Sequence, residues 1–311
     1  MELSFLHNTK FDFIGKRKLF FAVSALFIFA GIASLVLRGG PNYGIDFSGG
    51  TLLQIAFDKP AELNNVREAL DTAGIQGYEL QSSGSNAIII RAKKADIDPD
   101  KFAANVMDIF KQKFTDRTAV VERTEYVGPS VGKHLGKQAF YALIFSFFGI
   151  IVYVAFRFHS ALWGAAGVIG IIHDVFIVFG LFSLMNKEIN LTIIAALLTV
   201  AGFSINDTIV IFDRIRENLR LINKEDFGAI INRSINETLS RTIITSFTVV
   251  LVVLLLYFLG GVVLHDFALA LLIGLFIGSY STIFVCTPLV YEWDLYKKRR
   301  SAQLRATVQK R

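Results

Sequence analysis

Six stretches of this chain are apolar for about eighteen residues or more, at roughly 19–37, 138–156, 162–184, 191–212, 242–259 and 267–290. Runs of that length with few charges predict membrane-spanning helices. Between the first and second runs the pattern becomes that of a soluble domain. Residues 51–57 (TLLQIAF) predict a strand, and 62–73 predict a helix with Leu63, Val66, Leu70 and Ala73 at helical spacing. Residues 78–82 and 87–92 (AIIIRA) predict two strands joined by the turn Ser83, Gly84, Ser85 and Asn86. Asp98-Pro99-Asp100 opens a second helix with the stripe Phe102, Val106, Ile109, Phe110 and Phe114, and 118–127 closes as a strand. The order β-α-β-β-α-β is that of a ferredoxin-like split βαβ sandwich.

The predicted organisation is an N-terminal segment (1–18), a first transmembrane helix (19–38), a ferredoxin-like α+β domain (39–133), five further transmembrane helices (134–292) and a basic tail (293–311). Within the fourth part, 213–241 is charged and amphipathic, and it predicts one or two helices lying along the membrane surface. The first apolar run lacks a small-residue cleavage site, which makes it a retained span rather than a removed signal.

Charge sets the orientation. The chain has 311 residues, 53% of them hydrophobic, and a formal net charge of +6. The basic residues gather at the ends of apolar runs, as in Lys10, Lys16, Arg17 and Lys18, then Arg157, then Lys297 to Arg300 with Arg305, Lys310 and Arg311. That placement suits a membrane surface rather than nucleic acid. The loop at 186–190 has only Lys187, and 260–266 has neither Lys nor Arg. Six spans then place both termini in the cytoplasm and 39–133 outside it. The fold class is an α-helical integral membrane protein with six transmembrane helices and one extracytoplasmic ferredoxin-like domain between the first and second spans. The single cysteine, Cys286, excludes an internal disulfide.

Enzyme signatures are absent: there is no P-loop, no G-x-S-x-G and no metal-spaced cysteine or histidine cluster. No cofactor is expected, and any work must draw on a partner or an ion gradient. The polar positions inside the fourth run stand out. Residues 199–218 read TVAGFSINDTIVIFDRIREN, with Asn206 and Asp207 adjacent and Asp213 and Arg214 two helical turns later. An ionisable group within a membrane helix is a functional-site hypothesis by default. Asp207 is a candidate proton carrier, or else an interhelical hydrogen-bonding group. Arg241, at the start of the fifth run, is a fixed counter-charge for it, or a side chain reaching back to the interface. Asp174, mid-way along the third run beside His173, is a second relay station or an acid satisfied by a neighbouring helix. Gly164, Gly167, Gly170, Gly274 and Gly278 predict tight helix packing. Five spans after the domain are few to hide this polar stripe from lipid, which calls for an oligomer or a second subunit.

Several motifs together carry a family likeness. Gly44-Ile45-Asp46-Phe47-Ser48-Gly49-Gly50-Thr51 resembles the D-F-x-G-G motif of the SecD/SecF family, accessory membrane subunits of the bacterial protein-export machinery. Val127 to Gly132 (VGPSVG), Phe156-Arg157-Phe158, His173-Asp174, Ser204 to Thr208 (SINDT), Asp213 to Asn218 (DRIREN) and Arg241 to Ser246 (RTIITS) resemble the SecF side of it. The likeness covers nearly the whole chain. It implies a bacterial inner-membrane protein of the resistance-nodulation-division superfamily, paired with SecD and associated with the SecYEG channel, YajC and YidC, and indirectly with SecA and the translocating polypeptide. It implies a coupling ion, H+ or in some relatives Na+, that drives late steps of export. By position, Asp207 and Arg241 match the family's polar residues implicated in proton conduction, Asp174 matches a family position too, and Asn206 joins them as a candidate proton-relay residue. Asp46, Phe47, Gly49 and Gly50 form a structural motif, with glycines for the backbone geometry and Asp46 either capping the turn or touching substrate. A small-molecule or lipid exporter of the same superfamily and a non-transporting assembly factor are the competing functions.

Overall fold

A computed structural model describes residues 9–83, 86–92, 98–158, 161–221 and 225–309. The expected turn at Ser83–Asn86 therefore lies partly outside the described residues, and His159, Lys224, Lys310 and Arg311 lie outside them. Among the described residues, six helices are long and apolar enough to cross a membrane: Arg17–Leu37, Pro129–Phe158, Leu162–Leu184, Leu191–Leu221, Phe227–Leu259 and Leu264–Arg305. The chain divides into two compact units. One comprises 42–142 together with 188–191, and the other comprises 1–41, 143–187 and 192–311.

In the first unit the element order is β1 (Gly50–Phe57), α3 (Leu63–Thr72), β2 (Tyr78–Ser83), β3 (Ala87–Ala92), α4 (Pro99–Lys113) and β4 (Ala119–Val127), preceded by the short helix α2 (Ile45–Ser48). The strands form one antiparallel sheet in the order β2-β3-β1-β4, which is the ferredoxin-like arrangement. Alternation along the strands sends Leu53, Ile55 and Phe57, with Ile88 and Ile90, to one face. There they meet Val66 and Leu70 of α3 and Phe102, Val106 and Phe110 of α4. Burying a side chain such as Leu53 or Phe110 contributes about 1.5–3 kcal/mol. Asp98 starts α4 by accepting from Asp100 N at 3.0 Å, with Pro99 in the first turn, where its missing N–H costs nothing. Asp58 closes the end of β1 against β4: its Oδ1 accepts from Thr118 N at 2.9 Å, and its own N–H reaches Thr118 O at 3.1 Å. The Thr118 hydrogen bond holds the Asp58 carboxyl below the usual carboxylate range.

The second unit is helical: α1 (Arg17–Leu37), the later part of α5 (Pro129–Phe158), α6 (Ala161–Leu184), α7 (Leu191–Leu221) from its second residue on, α8 (Phe227–Leu259), α9 (Gly261–Ser281), a π-helical turn (Thr282–Cys286) and α10 (Thr287–Gln309). Burial is uneven. It reaches 56% of the apolar window of α6 but 17% for α1 and α8 and 11% for α5, so those three present apolar faces outward. The α1–α6 crossing is tight because two glycines meet: a Cβ on Gly31 would stand 2.7 Å from Gly180 Cα. Ser34 and Ser183 share a hydrogen bond of 2.9 Å on the same seam.

Residues 213–241 do not form separate surface helices. Residues 213–221 are the last turns of α7 and 227–241 the first turns of α8, helices of 31 and 33 residues. Their pattern looked like that of a surface helix because each has one polar flank. The other flank pairs with the neighbouring helix, burying Ile215, Asn218, Ile230, Ile231, Ser234 and Ile235. Asn218 Nδ2 donates to Ser234 Oγ at 2.9 Å and to Glu237 Oε2 at 2.8 Å, and Arg214 Nε donates to Glu237 Oε2 at 2.7 Å. The N-terminal segment also packs on α8. Asn232 Oδ1 accepts from Phe13 N and Ile14 N, each at 3.0 Å, while Asn236 exchanges two hydrogen bonds with the backbone of Phe11. Phe13 and Ile14 are buried beside Phe284, although the surrounding residues are polar.

Two outcomes follow. Gly180→Leu overfills the α1–α6 crossing and costs about 1–3 kcal/mol or more, read as a lower midpoint of thermal unfolding in detergent. Because the native Asp58 carboxyl titrates below its unfolded value, its contribution is present above about pH 4 and is lost as pH falls further. Asp58→Ala therefore lowers the protease resistance of the sheet domain at pH 7 and removes that part of its decline in acid.

Candidate functional site

Asp174 lies fully buried on α6 at the meeting of three helices. Its Oδ2 accepts from Ser204 Oγ of α7 at 2.5 Å and from Ser281 Oγ at the end of α9 at 2.8 Å. His173 Nδ1 lies 2.9 Å from Oδ1. A carboxyl between apolar helices is costly unless donors surround it, and here α7 and α9 each supply one. The helices approach closely enough because Gly278 faces Ser204: a Cβ on Gly278 would lie 3.1 Å from Ser204 Cβ. One turn on, Thr208 Oγ1 and Thr282 Oγ1 are 2.9 Å apart. Thr282 opens the π-helical turn, which ends just before Pro288. Proline cannot donate to the carbonyl four residues back, so the helix loosens there; π-helical turns are frequent at functional sites.

Asp207 stands three residues beyond Ser204 on α7. It is 3% exposed, and its Oδ2 has no hydrogen-bond partner among the described residues. The Arg241 guanidinium acts on it electrostatically, with no ion pair formed between them. Arg241 itself is exposed at the helix surface, while the next residue, Thr242, is buried. Asn206 points outward, so the structure does not bring it to Asp207. Of the two adjacent faces of the expected stripe, the one with Asp207 is buried at that level and the one with Asn206 is exposed. Farther along, Asp213 pairs with Arg157 and lies 3.8 Å from Arg216. These half-exposed pairs are of the kind worth little. No group of three or more His, Cys, Asp or Glu side chains among the described residues is placed to hold a metal.

Ser204 and Ser281 were not singled out as site residues by sequence reasoning. The available signal was hydroxyls within apolar runs, Ser204 with Thr208 one turn apart on one side of the helix, and the adjacent Ser281 and Thr282. The glycines of the third and sixth runs pack mainly on side chains: a Cβ on Gly170 would lie 2.2 Å from Cys286 Sγ, one on Gly274 2.1 Å from Val200 Cγ2. The glycine-to-glycine crossing of Gly31 and Gly180 is not among the positions that the sequence pattern marks.

The D-F-S-G-G stretch forms a joint of its own. Gly49 and Gly50 have φ of +71° and +124°, where a side chain is strained. A Cβ on Gly49 would stand 2.9 Å from Pro129 Cα at the start of α5, and one on Gly132 would stand 3.1 Å from Gly49 N. Phe47 packs edge-on against Tyr43 with ring centroids 6.0 Å apart. Asp46 Oδ2 accepts from Leu191 N, the first residue of α7, at 2.9 Å. Around it, Gly44 N donates to Ile189 O at 2.9 Å, and Ile189 N donates to Asn42 O at 2.7 Å. Arg91 of β3 pairs with Glu188, both nearly buried, and also donates to Gln81 Oε1 at 2.7 Å.

Residues 106–296 match the family described as protein export membrane protein SecD/SecF, C-terminal, and residues 35–61 match the SecD/SecF GG motif. The protein translocase subunit SecF of Endomicrobium trichonymphae is 51% identical over 298 residues, which cover 96% of each chain. That of Escherichia coli O157:H7 is 41% identical over 309 residues, 98% of this chain and 94% of the relative. The crystal structure of SecDF, a translocon-associated membrane protein from Thermus thermophilus, superposes with a TM-score of 0.84 at 36% identity. The match covers 93% of this chain but only 39% of that longer one. The chain belongs to the SecD/SecF family of protein-export membrane proteins, on its SecF side.

Proposed function

We propose that this chain works with a SecD partner as an accessory subunit of the Sec protein-export machinery and uses the proton gradient to drive late steps of translocation and release on the outer side. The observation that carries this reading is Asp207: a buried carboxyl in α7 with an unpartnered oxygen and one cation, Arg241, acting on it from α8. A proton arriving from outside neutralises Asp207 and releases Arg241. Its departure toward the cytoplasm restores the attraction. Asp174 is the next station, since a proton there forces Ser204 or Ser281 to turn and so disturbs the junction of α6, α7 and α9. A two-state change in helix packing then carries the work.

One unit charge crossing 100 mV releases about 2.3 kcal/mol, or about 50-fold in the equilibrium it drives. Both termini lie in the cytoplasm on this reading and the sheet domain lies outside the bacterial inner membrane, as the lysine and arginine bias of the loops supports. The exposed apolar faces of α1, α5 and α8 and the greater length of the SecDF chain support a SecD partner; SecYEG, YajC, YidC and, indirectly, SecA complete the proposed assembly. The coupling ion is H+, with Na+ as the variant in which the same carboxyls serve.

Asp207→Asn, in membranes with its SecD partner at matched abundance, abolishes the gradient's stimulation of export while the ATP-driven part persists. Stimulation at the wild-type level would instead favour an assembly factor. Asp174→Asn slows proton flux through the reconstituted complex, measured with a pH-sensitive dye in vesicles, and leaves co-purification with SecD intact. Replacing both Ser204 and Ser281 by Ala lowers the unfolding midpoint as well, since hydrogen bonds to a charged acceptor contribute about 1.5–3 kcal/mol each.

A further inference from the structure

The D-F-S-G-G joint and Arg91 grip a segment far away in sequence. Asp46 and Leu191 are separated by 145 positions, yet Asp46 Oδ2 takes the N–H of Leu191 at 2.9 Å. That N–H is one of the four at the start of α7 that the helix itself cannot satisfy. A parallel bridge between Tyr43 and Ile189, the Gly44–Ile189 and Ile189–Asn42 hydrogen bonds and the Arg91–Glu188 pair hold the three preceding residues. Gly44 leaves no spare room: a Cβ there would come within 3.1 Å of Asn190 Cβ and 3.4 Å of Glu188 Oε2. Arg91 and Glu188 have side-chain exposures of only 7% and 10%, so breaking one leaves the other charge buried.

α7 is one unbroken helix from Leu191 to Leu221, and Asp207 lies on it sixteen residues in, about 24 Å along the axis. Continuous helix joins the two positions.

We propose that Asp46, Gly44 and the Arg91–Glu188 pair are positioning residues that fasten the first turn of α7 to the sheet domain, and that this fastening passes a displacement of α7 to the domain. The proposal rests on the reading of Asp207 as the proton-coupled group. Asp46 acts here as a hydrogen-bond acceptor and not as an ion carrier. That choice has a consequence for substitution, because asparagine also caps helices well and alanine does not.

The test uses the full chain with its SecD partner and the channel in sealed vesicles, at matched abundance. Gradient-stimulated completion of export and proton flux are read in parallel. Asp46→Ala lowers the stimulated export rate by about fivefold, the scale of a lost cap, while proton flux stays at the wild-type level. Asp46→Asn keeps both. Arg91→Glu and Glu188→Arg each uncouple export from flux in the same way, and the double exchange restores the coupling.

Full stimulation with Asp46→Ala overturns the proposal. So does a proportional loss of flux and export, which would put Asp46 in the ion path or in the general fold. Equal loss in Asp46→Asn and Asp46→Ala overturns the capping role, and failure of the double exchange overturns the role of the ion pair. Asp207→Asn is measured alongside: if it leaves flux and stimulated export unchanged, the proton-coupled reading itself fails, whatever Asp46 does.

Discussion

A carboxyl group enclosed by apolar helices has to be given hydrogen-bond donors, and that requirement organises the centre of this protein. Asp174 receives Ser204 from α7 and Ser281 from α9, with His173 on its other oxygen. Each donor is a short side chain, so the helices must run close together, and Gly278 opposite Ser204 makes that possible. Thr208 and Thr282 extend the polar seam by one turn and lead into the π-helical turn ahead of Pro288. Asp207 sits on the same helix with an oxygen left over. Of the two buried acids, one has partners on both oxygens and the other has an oxygen without one among the described residues.

The elements with strong periodicity were legible in the sequence. The alternation of β1 and β3 and the stripes of α3 and α4 specify the sandwich, because each hydrophobic position has one face to go to. Asp174, Asp207 and Arg241 were legible as anomalies of charge in apolar surroundings. Asn206 was not legible as an outward residue, since an adjacent pair on a helix can be assigned to the inside only once the neighbours are known. The charged stretch 213–241 misled for a related reason: a polar flank looks the same whether its opposite side meets lipid or another helix. Ser204 with Asp174, Gly31 with Gly180 and Asp46 with Leu191 are contacts across 30, 149 and 145 positions (204 minus 174, 180 minus 31, 191 minus 46). Local propensity carries no trace of such pairings. The glycine and serine residues are visible, but their partners are set by the packing of whole helices.

The bonds around residues 188–191 also bear on the order in which the protein is assembled. A chain synthesised from its N-terminus delivers the sheet domain well before α6 and α7 exist. Until residues 188–191 arrive, the Arg91 charge lacks Glu188, and Asp46 lacks Leu191 N. The domain thus matures in two stages, a sandwich that forms from its own strands and helices and a final closure on residues 188–191, the turn between α6 and α7. Arrival of that turn is registered on the folded domain as the late burial of one charge pair. A chain in which that closure fails leaves the Arg91–Glu188 pair unmade, a mark of incomplete folding within the domain itself.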